Sequence, residues 1–489
     1  MKLSSSKILI LLIFISAQFA YTDDFEKSVV QVVATYQEFN PFKPWQKWKP
    51  CVRYGYGVAI SKSQVITTES IIRNHTLVEL RRSGSGKKIN AKVELCDYQS
   101  NLALLTITDT NEAPWITPLS LAQDVPAESE VEIIQFGETF KIQQGKAKMF
   151  QIAMKYLPKA PHVSLTFSVL TDLNVNGMGA AVIYDSKLAG LVIRYNRSTR
   201  TGDVLPYCVL NRFIKDAEKK PYEGIASAGF TWSTLIDPVK RSYFGVGKDE
   251  VGILVLSCLP ETGARESLKP LDVILSLDGH AIDNLGYYKD EKFGRLMFTY
   301  LINGRHKPGD TVSVQLMRNK KIQNIKIQLD HLLDSDSFIP DNTEGKQPEY
   351  LVEGGLVIRE LTGKYLKSFG ENWRSKADSE LVHLYLTRKK SLNAAGDRIV
   401  ILSSVLSDPI NIGYQYFYSS IITHINGKKI QNMSDVFGIV DRDGSIERLT
   451  LKSIGVDLVL DTETLAEANA RLSERYRVPK LRYQNVSQK

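Results

Sequence analysis

A strand, a turn and a second strand ending in Asp-Gly or Asn-Gly occur twice in this chain, in the same order. Ile253-Leu-Val-Leu-Ser-Cys-Leu259 is echoed by Ile399-Val-Ile-Leu-Ser-Ser-Val405, and Asp272-Val-Ile-Leu-Ser-Leu-Asp-Gly279 by Ser420-Ile-Ile-Thr-His-Ile-Asn-Gly427. The pairs that close the second strands favour positive φ at both central residues of a two-residue hairpin, so each copy must fold back at that point. One such pair arises by chance; two in the same order and offset imply two related modules. The polar stretch Asp334 to Pro348 reads as the linker between them.

The half before the repeat has a different rhythm. Ser28-Val-Val-Gln-Val-Val-Ala34 alternates as a half-buried strand would, and Gly55-Tyr-Gly-Val-Ala-Ile60 with Gln64-Val-Ile-Thr67 reads as a hairpin. Ala91–Leu95 and Leu102–Ile107 add strands, and Cys208 to Lys220 reads as a closing helix stopped by Pro221. Many short strands over such a length fit a β-barrel or a sandwich. With 489 residues the chain is long enough for about three domains.

A net charge of +8 comes from basic residues that are scattered and mostly matched by acids, which reads as solvated surface rather than a nucleic-acid footprint. Residues 1–20 read as an export signal: Lys2 and Lys7, an apolar Ile8–Phe19, and Ala20 at the cleavage position. No other run of about 18 apolar residues follows, so the mature chain is expected to lack a transmembrane span and to reside in the periplasm or cell envelope, or be secreted. Cys51, Cys96, Cys208 and Cys258 are far apart and lack metal-ligand spacing; Cys96 and Cys258, in apolar runs, read as buried thiols.

The stretch with the most chemical content is Thr171-Asp-Leu-Asn-Val-Asn-Gly-Met-Gly-Ala-Ala-Val182. Small residues crowd its tip, and the apolar runs Ala180–Tyr184 and Leu188–Ile193 follow around a short Asp185-Ser-Lys187 turn. This reads as a tight loop feeding a hairpin, with backbone amides free to face a negative group. Together with Pro44-Trp-Gln46, Gly55-Tyr-Gly57, Ser100-Asn-Leu-Ala-Leu-Leu105, Leu268-Lys-Pro-Leu-Asp-Val-Ile-Leu275, Ile399–Leu406 and Asn411-Ile-Gly-Tyr414, it resembles the HtrA/Deg family, specifically its plant-type Deg subgroup with two PDZ modules. The resemblance implies a mainly β chain: a trypsin-like double β-barrel followed by two PDZ-like α+β modules. The expected boundaries are a signal at 1–20, a protease domain at 21–220, PDZ modules at 221–333 and 349–480, and a linker at 334–348.

Carried over one residue at a time, the family's catalytic positions are altered. Its Thr-Asn-Ala-His matches Thr67-Thr-Glu-Ser70, placing Ser70 where the general base belongs. The aspartate before Leu-Ala-Leu-Leu is Asn101, and Gly-Asn-Ser-Gly-Gly-Pro becomes Asn176-Gly-Met-Gly-Ala-Ala181, with Met178 at the nucleophile. Acyl transfer needs an ionisable nucleophile, a base of pKa near 7 and a group that orients the base. A thioether, a hydroxyl and a carboxamide supply none of these. Asn176, Gly177 and Gly179 would then be a remnant oxyanion loop. His75 and Ser186 read as surface and turn residues, Glu69 as an exposed carboxylate, and the seven histidines show no metal-ligand spacing, so neither a relocated triad, a metal nor another cofactor is expected.

Binding is what remains. A PDZ module adds a peptide as an extra strand and holds its terminal carboxylate on main-chain amides. Ser227-Ala228-Gly229-Phe230 resembles that carboxylate loop in the first module, and Gly354-Gly355-Leu356-Val357 is its counterpart in the second. Phe39, Phe42, Trp45 and Trp48 fit either an oligomer contact, since the family forms trimers or larger assemblies, or a loop packed on the first barrel. The reading is an exported pseudoprotease that binds polypeptide C-termini or unfolded chains, as a holdase or as an adaptor beside an active paralogue. The alternatives are an active envelope endopeptidase and a structural or surface interaction protein.

Overall fold

The computed structural model describes residues 25–158, 162–247, 251–341, 345–388, 396–452 and 455–485, so the apolar run read as an export signal lies outside it. Two compact units emerge. Of the described residues, one comprises those up to Tyr36, Pro50–Val255 and Glu266–His331; the other holds Gln37–Lys49, Leu256–Arg265 and those from Leu332 onward.

The first unit opens with β1 (Val29–Tyr36), β2 (Cys51–Ala59), β3 (Gln64–Thr68), the one-turn helix α1 (Glu69–Ile72), β4 (His75–Arg81), β5 (Lys88–Asp97) and β6 (Leu102–Ile107). These strands close into a barrel in the order β1-β2-β3-β6-β5-β4. A second barrel, ordered β10-β11-β12-β9-β8-β7, is built from β7 (Glu130–Phe136), β8 (Ile142–Tyr156), β9 (Val163–Thr171), β10 (Ala180–Tyr184), β11 (Lys187–Asn196) and β12 (Thr201–Pro206). Of the two architectures the strand rhythm allowed, the structure takes the barrel, which leaves no open sheet edge. β1 is not half-buried as its alternation indicated: its first six residues are all buried. Val30, Val32 and Ala34 fill the first barrel, while Val29 joins the cluster shared with the second, so both faces of the strand are covered. Helix α2 (Tyr207–Ala217) closes the pair, burying Tyr207, Leu210 and Phe213 at three-residue spacing.

The repeat is structural. In the first module the strands Phe230–Thr234, Ile253–Cys258, Val273–Leu277, Thr311–Arg318 and Lys321–Gln328 lie side by side in that order. In the second, Leu356–Glu360, Val400–Val405, Ser420–Ile425, Arg448–Leu451 and Asp457–Val459 reproduce it. The turns match as well: Asp278 and Gly279 have φ of +46° and +77°, Asn426 and Gly427 +50° and +72°. One difference matters for function. The second module adds Tyr350–Glu353, and beyond it Arg482–Tyr483, on the outer side of Leu356–Glu360.

Two expectations about connecting segments change within the second unit. The stretch read as a bare linker packs into the module: Ile339 is fully buried beside Leu361 and Tyr365, and Asp341 pairs with Lys367 at 2.6 Å and Arg388 at 3.0 Å. The aromatic segment between β1 and β2 packs there too. Phe42 meets Tyr365 and Phe369 edge-on, and Trp45 is buried against Tyr350, whereas Trp48 is exposed. Large rings that bury about 150–250 Å² each settle where an apolar surface is offered, and here the second module offers it rather than the first barrel.

Candidate functional site

Helix α1 begins where β3 ends, and Asn101 holds its first turn in place. The Ser70 amide donates to Asn101 Oδ1 at 2.9 Å and the Glu69 amide to the Asn101 carbonyl at 3.1 Å. Asn101 itself has φ of +56°, a conformation asparagine tolerates better than most residues. Two of the sequence-derived positions are thereby joined, backbone to side chain. The carboxamide performs the positioning half of an aspartate's task through its oxygen, and its buried Nδ2 has no hydrogen-bond partner. The Ser70 hydroxyl turns instead to Thr68 Oγ1, 3.3 Å away. Arg53, stacked on the Tyr36 ring at 3.9 Å, receives the other end of α1 by donating to the carbonyls of Ser70 and Ile71.

The loop before β10 is sewn to both barrels, and the expectation of free amides fails at its centre. The Met178 N–H donates to Asn176 Oδ1 at 2.9 Å, Gly179 N–H to the Val192 carbonyl at 2.8 Å, and Asn176 N–H to Gln135 Oε1 at 3.4 Å. Asn176 also donates through Nδ2 to the Tyr56 hydroxyl, which in turn donates to the Phe136 carbonyl. Burial pushes that hydroxyl's pKa up, so it stays protonated and keeps donating. Met178 accepts from the Tyr56 amide at 2.8 Å, and its side chain packs on the core of the first barrel. Gly179 has φ of +84°, and a Cβ there would lie 2.6 Å from the Tyr56 carbonyl oxygen, so only glycine permits this approach. The signal for the closed amide was legible: Asn-Gly at 176–177 reverses the family's Gly-Asn and puts a side-chain acceptor two residues before Met178.

Glu69 is not the exposed carboxylate its position suggested. It is fully buried and forms a two-pronged pair with Arg73, one turn on, with Nε–Oε1 at 2.5 Å. Its neighbour on β5, the Cys96 thiol, has its pKa pushed well up by burial. His75 opens β4 on the surface, its Nδ1 2.9 Å from the Ile72 carbonyl, and Ser186 with Asp185 forms the positive-φ turn between β10 and β11. Among the described residues no three His, Cys, Asp or Glu side chains gather as metal ligands, and no helix is long and apolar enough to cross a membrane. Cys96 and Cys208 carry unbridged thiols.

The two candidate peptide sites differ in their strand edges. In the first module Ala226–Ser227 pairs with Asp330–His331, Gly229 turns the chain at φ of +68°, and Phe230–Thr234 begins the sheet with one described neighbour, Ile253–Cys258. Phe298 packs against both Phe230 and Trp232. In the second module that edge is taken. Tyr350–Glu353 pairs with Leu356–Glu360 along its length, and Gly354 and Gly355 form the turn between them. Asn411 donates to the Gly354 and Leu406 carbonyls, while Asn469 accepts from the Gly354 amide. Gly354, Gly355, Leu356 and Val357 therefore form an internal hairpin rather than an open carboxylate loop. A strand paired on both flanks has no backbone groups left for a peptide.

Comparison with known proteins agrees with this architecture. Models of the PDZ domain match residues 234–329 and 339–485. The chain is 26% identical over 460 residues to the putative protease Do-like 11, mitochondrial, of Arabidopsis thaliana, covering 92% of this chain and 74% of that one. It is 26% identical over 431 residues to the same plant's chloroplastic protease Do-like 2, covering 85% and 68%. Among solved structures, the HtrA-type protease AlgWS227A with a decapeptide superposes with a TM-score of 0.51 at 16% identity, over 62% of this chain and 94% of that one.

Proposed function

The chain belongs to the HtrA/Deg family of trypsin-like proteins with PDZ domains, and we propose that it is a pseudoprotease whose working site is the first PDZ module. In this reading it is exported and captures polypeptide C-termini or unfolded segments. It acts as a holdase or an adaptor, assembled with its own copies or with an active paralogue. One observation carries the loss of catalysis: at Ser70, Asn101 and Met178 the chain holds no nucleophile, base or charged orienter, and the Met178 amide that would face an oxyanion is bound to Asn176. The intact barrels beside a vacated mechanism support a scaffold role. The terminal place of Phe230–Thr234 in the order of described strands supports peptide addition as a further strand, and the positive φ of Gly229 supports the carboxylate turn.

Fluorescence anisotropy with peptides ending in an apolar residue and a free carboxylate tests the binding half. Saturable binding is expected, weakened about tenfold or more by C-terminal amidation, a loss of roughly 1.4 kcal/mol. Gly229→Trp is expected to abolish it while circular dichroism stays unchanged. Binding that survives both changes removes this module as the site.

A further inference from the structure

We propose that the second PDZ-like module carries a small-anion site built around Arg359, taking a phosphate-sized oxyanion or a carboxylate. Arg359 lies on the strand Leu356–Glu360, flanked on both sides, and is 2% exposed. Among the described residues its guanidinium donates only to backbone carbonyls, Nη1 to Pro41 at 2.7 Å and Nε to Glu360 at 3.3 Å, and the Tyr365 ring is 5.8 Å away. A buried guanidinium carries a large desolvation cost unless an anion faces it. Burial pulls its pKa down to about 10, against the weaker pull of the neighbouring Tyr365 and Glu360.

Arg359 lines a cavity of about 140 Å³ together with Arg398, Lys346, Thr362, Glu349 and Glu360. That volume holds several water molecules and therefore a small oxyanion. Both carboxylates in this lining have backbone partners, and Glu360 is shared with Arg398. Glu360 accepts from the Met433 amide at 3.3 Å and lies 3.8 Å from Arg398 Nε; Glu349 accepts from the Asn485 amide at 2.8 Å. Burial raises the pKa of both, which weakens their hold on the guanidinium. A planar fork with an edge that has no partner among the described residues, opening on this cavity, is the donor set that phosphate and carboxylate groups match in pairs of bonds. The same guanidinium holds the Pro41 carbonyl, so a bound anion also secures the Gln37–Lys49 segment on this module.

The test is thermal denaturation of the full chain in sodium phosphate, sulfate or acetate against chloride at matched ionic strength. Phosphate or sulfate is expected to raise Tm saturably if the ligand is a free oxyanion, and acetate alone if it is a carboxylate. Glu349→Gln is expected to lower the half-saturating concentration at least threefold, and Arg398→Met to raise it by as much. Arg359→Met is expected to remove the saturable part; should that variant not fold, the other two decide. Shifts that track chloride without saturating, or saturation that neither variant moves, overturn the site.

Discussion

Replacing Arg73 by methionine is expected to lower the stability of the barrel unit by about 3–5 kcal/mol, the cost of stranding a buried charge. Glu69 is fully buried, and Arg73 gives it two hydrogen bonds from one helical turn away. Without the guanidinium the carboxylate is left buried with no cation beside it. The Glu69→Gln/Arg73→Met double variant is expected to lose clearly less, because most of the single variant's deficit is the unpaired charge rather than the absent bond. Guanidinium chloride unfolding followed by tryptophan fluorescence measures both. A loss under about 1 kcal/mol for Arg73→Met would mean that water already compensates Glu69. The pair sets the start of α1 and so the place of Ser70.

Restoring the mechanism is expected to need more than a serine. Met178→Ser alone should give no hydrolysis, since Ser70 cannot take its proton and Asn101 carries no charge. Ser70→His/Asn101→Asp/Met178→Ser supplies all three groups on a frame that already holds position 101 against the position 70 amide. Its kcat/KM on a peptide ester is nevertheless expected to stay low, because Asn176 Oδ1 occupies the amide at position 178. Adding Asn176→Gly frees that donor, and a single oxyanion-hole donor is worth about 10²–10³ in rate. The fourfold variant should therefore exceed the triple by roughly that factor. A Met178→Ser single variant as fast as the triple would reveal a base other than position 70.

What could be read from the chain follows from how local each signal is. Asp278-Gly279 and Asn426-Gly427 declare their hairpins because positive φ restricts which residues fit, and the repeated order of strands came with them. Ser70, Asn101 and Met178 can be named from the chain, because the proposed loss of catalysis turns on side-chain identity, which a sequence states outright. The rest depends on neighbours remote in sequence. Glu69 reads as a surface acid until Arg73 is seen folded onto it in a one-turn helix. Gly354-Gly355 reads as a carboxylate loop because the same small residues serve an open turn and a closed hairpin; only the pairing of Tyr350–Glu353 distinguishes them. Phe42 and Trp45 announced an apolar contact but not which surface would supply it, and that surface lies about 300 residues further on.

Fluorophosphonate labelling of the purified chain, run with casein as substrate and Met178→Ala as control, bears most directly on the loss of catalysis. No label and no cleavage in either protein is the expected result. A labelled serine, with casein cleavage that Met178→Ala leaves unchanged, would contradict it and place a working nucleophile elsewhere in the barrels.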